Sequence, residues 1–366
     1  MTCKLGSPLS GVILSAALLA ACGGSAPAPS TTAPSSAAPA ASAAPKPAAS
    51  TSGSASAKPA AASAKSAASG SAAASGLLPI KMVYAQNAAV QEPIFVAKDA
   101  GFWAKNGLDV AMTNVTGTAQ VPAITSGEAQ FANTGAAEVT SGVLNGAPII
   151  MIGTLSDLPI FDLYANKKYT KVDELAGQTI GVTAAGTSTD FEARLILRKY
   201  NLEGKAKIAP SGGTFPTILA AMEQGGIAAG MIGPPFTAEA ARKYNMLLDG
   251  VTLGPLNVSG LTVTKAYLQA KPDVVKQFLR GYTQAWTYAA DPANKADVVK
   301  IVAKWTKSSP EDATVGYETM AKVLTKTKVP AVDPASVASI LSVSGDAKAQ
   351  ASKPEQFIDN SFIQSL

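Results

Sequence analysis

The sequence contains one structural unit twice, and this duplication sets the strongest limit on the fold. The first copy begins with an apolar segment at 80–84, a loop of small residues and a helix with Pro93 in its first turn. The second copy begins at 179–200, about 100 residues later. Alternating strands and helices are typical of parallel sheets with helices on both faces. The sequence therefore predicts an α/β protein with two lobes, each built on a doubly wound sheet.

The start of the second copy illustrates the pattern. An apolar strand is expected at 179–183 and a loop of small residues at 184–188, with a helix from Thr189. Thr189 and Glu192 have the spacing of a capping box, which predicts the helix start. An apolar helix face follows from the spacing of Ala193, Ile196, Leu197 and Tyr200.

Matching loops follow the other strands of both copies. The turn at 116–118, which precedes an expected short helix at 121–125, corresponds to 211–214, and the segment at 134–138 corresponds to 233–239. Loops at the carboxyl ends of parallel strands meet at one edge of a sheet, beside helix N-termini with free N–H groups. Two lobes whose edges face each other therefore predict a cleft.

The remaining segments suggest where the chain passes between the lobes. Crossings are expected near 163–166 and 256–260, so that lobe one comprises 77–164 and 260–366 and lobe two comprises 165–259. Other expected elements are a strand within the apolar run 147–164, helices at 272–290, 296–307 and 310–324, and a C-terminal segment at 357–362 that packs on a lobe. Trp286 and Trp305 lie in these helices and are expected to pack in the core.

The N-terminal residues 1–21 have the features of a signal peptide. One lysine, Lys4, precedes an apolar run at 12–21, which is too short for a membrane span of roughly 20 residues. The run ends in Leu-Ala-Ala-Cys, which resembles the bacterial lipobox, so Cys22 is the expected lipidation site. Several acyl chains on one cysteine give stable membrane attachment. Residues 22–76 contain only small residues, prolines and lysines, and we expect a disordered, lipid-anchored tether.

Composition excludes several classes of function. The chain has no histidine, which removes histidine-dependent nucleophilic catalysis and histidine-based metal sites. The only cysteines are Cys3 and Cys22, so neither a disulfide framework nor a cysteine metal site is expected in the folded part. Four lysines before residue 77, where no acidic residue occurs, account for four of the five net positive charges. The remaining charge of +1 gives no reason to expect nucleic-acid binding, and no metal or cofactor is predicted.

From Leu77 onward the chain resembles the periplasmic solute-binding receptors of ABC importers in the nitrate/sulfonate/taurine and thiamine-pyrimidine-precursor group. The residues that carry the resemblance are Ala-Gly-Phe-Trp at 100–103, Asn-Gly-Leu-Asp-Val at 106–110, Asp-Glu-Leu-Ala-Gly-Gln-Thr-Ile-Gly-Val at 173–182, Gly135, Gly-Pro-Pro at 233–235 and Asp-Asn-Ser-Phe at 359–362. The resemblance implies the two-lobed type II periplasmic-binding-protein fold. It also implies an extracytoplasmic receptor, periplasmic or on the outer face of the membrane, that acts as a monomer.

The resemblance and the duplication together place a set of loop residues around a ligand. They are mainly hydroxyl, amide and glycine residues: Gln86, Asn87, Thr116, Thr118, Thr134, Gly135, Gly186, Thr187, Ser188, Thr189, Gly213, Thr214 and Pro234. Such groups suit a small oxyanion. Tyr84, Phe215 and Phe236 are candidates for stacking on a ring. The expected solute is a sulfonate-, nitrate- or taurine-like compound or an aromatic, pyrimidine-like one. The first loop lacks the Pro-Asn and histidine of the thiamine-precursor members, which argues against their own pyrimidine.

No lysine or arginine lies in these loops, whereas Glu138 and Asp190 fall in the first turns of the helices that follow. The simplest role of both carboxylates is to stabilise the dipoles of their own helices. If they faced the cleft, they would repel an anion and favour an amine.

Three functions remain open. The first is a lipid-anchored receptor that closes on a solute and delivers it to a membrane permease, without catalytic residues. The second is an enzyme on the same two-lobed fold, which would depend on Glu92, Glu138 or Asp190. The third is a structural or signalling lipoprotein with an empty cleft.

Overall fold

The two copies of the repeated unit form two separate sheets. The computed structural model describes residues 76–115, 117–326 and 328–366, all of which belong to one compact unit. The predicted signal peptide, Cys22 and the predicted tether up to residue 75 lie outside the described residues. Thr116 lies outside them as well.

The described residues form ten strands in two five-stranded sheets. The strands are β1 (Leu78–Tyr84), β2 (Leu108–Asn114), β3 (Phe131–Thr134), β4 (Ile149–Ser156), β5 (Asp162–Ala165), β6 (Thr179–Val182), β7 (Lys207–Pro210), β8 (Ala229–Ile232), β9 (Asn245–Leu248) and β10 (Ser259–Thr264). The first sheet has the order β2-β1-β3-β10-β4 and the second has the order β7-β6-β8-β5-β9. The orders β2-β1-β3 and β7-β6-β8 are equivalent, as expected for two copies of one unit.

The predicted α/β class and the two-sheet architecture are confirmed, but neither sheet is wholly parallel. β1 pairs in parallel with β2 and β3, and β6 pairs in parallel with β7 and β8. β10 runs antiparallel to β3 and β4, and β5 runs antiparallel to β8 and β9. The antiparallel pairs involve the strands next to the two passages between sheets. The chain leaves a sheet through β4 and β9 and enters one through β5 and β10.

Those passages lie earlier in the chain than expected. β4 ends in the first sheet and β5 begins in the second, so the first change of sheet occupies 157–161 rather than 163–166. The second change lies between the end of β9 and the start of β10, over 249–258. The apolar run 147–164 is consequently two strands in different sheets.

The described helices are α1 (Glu92–Asp99), α2 (Phe102–Lys105), α3 (Gln120–Thr125), α4 (Ala136–Leu144), α5 (Ser188–Lys199), α6 (Phe215–Glu223), α7 (Phe236–Lys243), α8 (Lys265–Ala270), α9 (Pro272–Ala290), α10 (Lys295–Thr306), α11 (Pro310–Leu324), α12 (Pro334–Val343), α13 (Ala347–Gln350) and α14 (Ser361–Gln364). Short 3-10 turns lie at Ala89–Gln91, Gly117–Ala119, Val172–Leu175, Gly250–Leu253, Pro292–Asn294 and Pro354–Gln356. None of these helices is long and apolar enough to cross a membrane.

The capping box predicted for α5 is wrong. The helix begins at Ser188 with Thr187 as its N-cap, and the N-cap makes no side-chain capping bond. Thr189 instead accepts a hydrogen bond from the N–H of Thr183 (3.1 Å), and Glu192 is buried. Thr189 is therefore bonded to Thr183 and Glu192 is buried, so the two side chains do not form the box.

Aromatic stacking fixes the long helix α9 on the first sheet. Phe278 stacks on Phe131 with ring centroids 3.8 Å apart and on Trp103 at 4.9 Å. A side chain at Gly281 would collide with Trp103, so glycine permits the close approach of α9 and α2. Trp286 is buried as expected. The C-terminal segment packs on the first sheet, where Met151 exchanges backbone hydrogen bonds with neighbours of Ile358.

Candidate functional site

A cavity of about 450 Å³ lies where the carboxyl ends of the parallel strands of both sheets meet. The first sheet contributes the loops after β1, β2 and β3, and the second contributes the loops after β6 and β7. The segments 157–161 and 249–258 contribute Phe161 and Val258. Such a volume suits a small organic molecule.

Eight of the thirteen residues predicted from the sequence line this cavity. They are Gln86, Thr118, Gly135, Thr187, Ser188, Thr189, Gly213 and Thr214. Thr116 lies outside the described residues. The other four, Asn87, Thr134, Gly186 and Pro234, do not line the cavity.

Two of those four side chains are held by neighbours in the first sheet. Asn87 accepts a hydrogen bond on Oδ1 from the hydroxyl of Tyr84 (2.9 Å). Thr134 is buried, and its hydroxyl bonds to that of Thr262 at 2.6 Å. The side chain of Asn87 therefore stabilises the loop after β1, and the side chain of Thr134 stabilises the first sheet.

The other two act through the backbone. The N–H of Gly186 donates to Asp190 Oδ2 (2.8 Å), and the carbonyl of Pro234 accepts from Ala89 N–H (3.0 Å). Asp190 also forms an ion pair with Arg194 (3.1 Å) and does not line the cavity. Its role is thus local to the start of α5.

Three threonine hydroxyls form a closed cluster beneath the loop after β6. The hydroxyls of Thr183, Thr187 and Thr189 lie 2.9–3.1 Å from one another. Thr187 also bonds to the carbonyl of Ala184 (2.7 Å). The cluster fixes the loop against α5, and its hydroxyls are already engaged with one another.

Ser188 connects the second lobe, at the cavity wall, to the end of the segment 249–258 that leads back into the first sheet. Its Oγ donates to the carbonyl of Val258 (2.9 Å). Gly135, at the start of α4, lies directly opposite, because a Cβ at this position would collide with Ser188 Oγ and would lie 2.8 Å from Val258 O. The start of α5 therefore meets the start of α4 with no room for a side chain between them.

Three buried polar atoms around the cavity have no hydrogen-bonding partner within the part of the chain that the structure describes. They are Gln91 Oε1, Gln120 Nε2 and Glu138 Oε2. Gln91 donates from Nε2 to the carbonyl of Ala85 (2.7 Å), which identifies Oε1 as its free atom. A buried polar atom without a partner is costly, so these atoms indicate a place for a ligand or water.

Gln91 and Gln120 were not expected from the sequence. Both stand at the start of a helix that follows a strand-end loop, the same position as Thr187 and Ser188 in lobe two. The topological rule would have included them if the helix starts had been placed correctly. The sequence predicted the helix of α3 to begin at residue 121, one residue too late.

Glu138 is the only ionisable residue among the described residues that line the cavity. Burial raises the pKa of Glu138 to about 7, whereas the N–H groups of Glu138, Gly135 and Ser188 lower it. Two of those N–H groups belong to α4 and its N-cap, and the third belongs to α5. The carboxyl group of Glu138 therefore lies near the N-termini of two helices, α4 in one lobe and α5 in the other.

Two aromatic rings form an apolar part of the wall. Phe161 and Phe215 both line the cavity, with ring centroids 5.6 Å apart and planes at 51°. Phe236 packs behind Phe215 at 5.9 Å, and Tyr84 lies against Phe95. Of the three aromatic candidates from the sequence, only Phe215 lines the cavity. Within the described residues there is no group of three or more carboxylates that could hold a metal ion.

The fold is that of periplasmic binding proteins. The sequence matches the family described as "NMT1/THI5 like" over residues 89–296, which is more than half of the chain. The chain belongs to this NMT1/THI5-like family, which confirms the relationship expected from the sequence. No curated protein matches the sequence.

Solved structures of solute-binding proteins share the fold. The periplasmic aliphatic sulphonate-binding protein SsuA of Escherichia coli is 17% identical with a TM-score of 0.60, and the match covers 78% of this chain and 99% of that protein. The alkanesulfonate-binding protein SsuA of Xanthomonas axonopodis pv. citri, bound to MOPS, is 16% identical with a TM-score of 0.56, covering 66% and 83%. The periplasmic nitrate-binding protein NrtA of Synechocystis PCC 6803 is 15% identical with a TM-score of 0.56, covering 64% and 69%.

Proposed function

We propose that this protein is the extracytoplasmic solute-binding receptor of an ABC importer. It captures a small organic solute between its lobes, closes by a hinge motion and delivers the solute to a membrane permease. The observation that carries this proposal is the cavity at the strand ends of both sheets, lined by three residues that each carry a buried polar atom without a partner in the described part of the chain. The sulfonate- and nitrate-binding proteins that share the fold support the same class of function.

The hinge corresponds to the two passages between the sheets. We propose that lobe one carries the first sheet and lobe two the second, joined at 157–161 and 249–258. Hinges absorb their backbone changes in a few loop residues, and these two segments are the links between β4 and β5 and between β9 and β10. This division shifts the boundaries expected from the sequence by a few residues.

The site gives little support to the alternative of an enzyme. Of the three carboxylates named as candidates, Glu138 lines the cavity, whereas Glu92 and Asp190 do not. A single carboxyl group without a second acid or base nearby is a poor basis for acid–base chemistry. We therefore propose a binding function without catalysis.

The location of the receptor follows from its N-terminus. We propose cleavage before Cys22 and lipidation of its thiol, so that the chain is anchored to the cell envelope as a monomer. The segment at 23–75 then separates the anchor from the folded part and lets it reach a permease in the same membrane.

The test is to identify the small molecule that co-purifies with the protein. Mass spectrometry is expected to find one solute per chain, and related compounds from a panel of sulfonates, carboxylates, pyrimidines and flavins should raise the melting temperature. Asn114→Trp should lose the solute, because Asn114 is exposed and lines the cavity. Lys353→Trp, at an exposed position away from the cavity, is the matched control. A chain that carries no solute and responds to no compound would support the structural lipoprotein, and turnover would support the enzyme.

A further inference from the structure

The chemical character of the polar groups that line the cavity bears on the charge of the solute. An oxyanion needs free N–H groups or a basic side chain. No lysine or arginine is among the described residues that line the cavity. The N–H groups of Gly135, Glu138 and Ser188, at the facing starts of α4 and α5, lie near enough to the carboxyl group of Glu138 to lower its pKa. The place that would suit an anionic ligand is thus occupied by a carboxyl group of the protein itself.

The unpartnered atoms belong to side chains that line the cavity. Gln91 Oε1 and the carboxylate oxygens of Glu138 are acceptors that a donor group of the solute would satisfy. Gln91 is 3% exposed and Gln120 is 1% exposed, so the protein holds both amides in a dry environment. Gln120 Nε2 is a donor and needs one acceptor. Phe161 and Phe215 provide an apolar surface for the rest of the molecule.

We propose that the solute carries a cationic nitrogen group, an amine or amidine, which pairs with Glu138 and donates to Gln91, attached to an apolar body that contacts Phe161 and Phe215. This inference rests on the proposed receptor function and names the class of its solute. It separates this chain from the sulfonate- and nitrate-binding proteins that share its fold, whose named solutes are anions.

The surroundings of Glu138 contain few other charges. It lies on α4, which packs against α3, α5, α12, α13, β4 and β10. Of these elements, α3, α12, β4 and β10 carry no ionisable residue, and α13 carries Lys348. The charged residues of α5 are Asp190, Glu192, Arg194, Arg198 and Lys199. The pKa of Glu138 responds to burial and to backbone N–H groups, with no side-chain charge among its causes.

Three aromatic probes of the same size test the charge preference. Benzamidine is a cation, benzamide is neutral and benzenesulfonate is an anion. Isothermal titration calorimetry should give the tightest binding for benzamidine and the weakest for benzenesulfonate. Glu138→Gln keeps the shape of the side chain and should weaken benzamidine binding by about tenfold or more, with little effect on benzamide. Glu128→Gln, at an exposed position outside the cavity, is the matched control.

The pH dependence provides an independent readout. Burial gives Glu138 a pKa of about 7, and benzamidine remains a cation throughout the range tested. Its affinity should therefore rise about 30-fold between about pH 5.5 and about pH 8, as Glu138 ionises. Glu138→Gln should abolish this rise. An anion that bound beside Glu138 would show the opposite slope.

Several results would overturn the inference. They are tighter binding of benzenesulfonate than of benzamidine, no binding of either nitrogen probe, or benzamidine affinity that is unchanged in Glu138→Gln. An oxyanion found as the co-purified solute would also overturn it, yet it would leave the receptor function intact. By contrast, a chain without any solute would contradict the receptor function itself.

Discussion

Ser188 Oγ donates a hydrogen bond of 2.9 Å to the carbonyl oxygen of Val258. Ser188 is the first residue of α5 in the second lobe, whereas Val258 is held to the first sheet by its N–H bond to Ser156 O (3.0 Å). The two lobes therefore touch at the wall of the cavity. If the receptor closes on its solute as proposed, we expect this contact to form in the closed arrangement and to break when the lobes open.

Gly135→Ala is expected to prevent full closure. The backbone of Gly135 is extended (φ −82°, ψ 167°), a conformation that alanine adopts freely, so the cost of the substitution comes from what its Cβ meets. The Cβ would collide with Ser188 Oγ across the interface and would also lie 2.8 Å from Val258 O and 3.0 Å from Glu138 Oε2. We expect solute affinity to fall by about tenfold or more, because less of the protein reaches the closed state. Gly345→Ala, where a Cβ meets nothing within 4 Å, is the control, and wild-type affinity in Gly135→Ala would contradict the closure model.

Ser188→Ala is expected to affect mainly solute binding and Thr189→Ala mainly stability, although both residues line the cavity. Ser188→Ala removes one hydrogen bond between the lobes and should weaken solute binding about threefold to tenfold, with little change in stability. Thr189→Ala leaves the buried N–H of Thr183 without its acceptor, and should lower the free energy of unfolding by about 1–2 kcal/mol. Urea denaturation and calorimetric titration separate the two effects. Thr189→Ser retains the hydroxyl and should stay near wild type, so equal losses in both threonine variants would argue against this role.

Glu192 is expected to make the protein less stable as the pH rises. Both of its carboxyl oxygens are buried without a partner in the described part of the chain, and burial, Asp162 and Asp249 raise its pKa well above the ordinary value of 4.5. Burial, with a smaller effect of Asp249, raises the pKa of Asp162 to about 6. A carboxyl group with a raised pKa stabilises the folded state below its ordinary pKa, and this contribution is lost as the pH rises through the folded value.

Glu192→Gln should therefore raise the melting temperature at neutral pH, by about 2 °C or more, and flatten the loss of stability as the pH rises above the ordinary carboxyl value of 4.5. Glu355→Gln changes an exposed carboxylate and is the control. Differential scanning calorimetry at several pH values gives the slope directly. A melting temperature that is lower in Glu192→Gln than in wild type at neutral pH would show that Glu192 is ionised and favourably paired.

Cys22→Ala is expected to release the protein from the membrane. The thiol of Cys22 is the only proposed point of acylation, and the run before it is too short to span a bilayer of roughly 20 helical residues. Labelled palmitate should enter the wild-type chain and not the variant, which should move to the soluble fraction. Cys3→Ala leaves the proposed lipobox intact and should remain attached. Unchanged membrane attachment of Cys22→Ala would refute lipidation at this site.

The parts of the fold that local sequence determines were predictable. Helices α9 and α11 have the predicted bounds, because proline at the first position and a clear apolar period mark both. The division of 147–164 into β4 and β5 was not predictable. Asp157, just after β4, accepts hydrogen bonds from Asn257 (2.7 Å) and Ser336 (2.8 Å), which are distant in sequence. The chain turns there because of partners that no local pattern reveals.

The candidate site shows the same division between local and tertiary causes. The repeated loops located the cavity, because strand ends of a duplicated unit must meet at equivalent edges. The individual side chains depend on helix starts that were predicted one residue away from their true positions. Because of that difference, Gln120 was left out of the predicted site. The same difference also led to a predicted capping bond for Thr189, whose hydroxyl instead accepts from the N–H of Thr183. Which carboxylate faces the cleft also depended on packing, since Asp190 pairs with Arg194 and Glu138 does not.

Small-angle X-ray scattering with and without the co-purified solute tests the central claim most directly. The ligand-free protein should have a larger radius of gyration than the saturated protein, and the saturated protein should fit the closed arrangement in which Ser188 contacts Val258. Gly135→Ala should fail to contract when the solute is added. A radius that stays unchanged in the wild-type chain, with occupancy of the site verified by calorimetry, would contradict a receptor that closes on its solute.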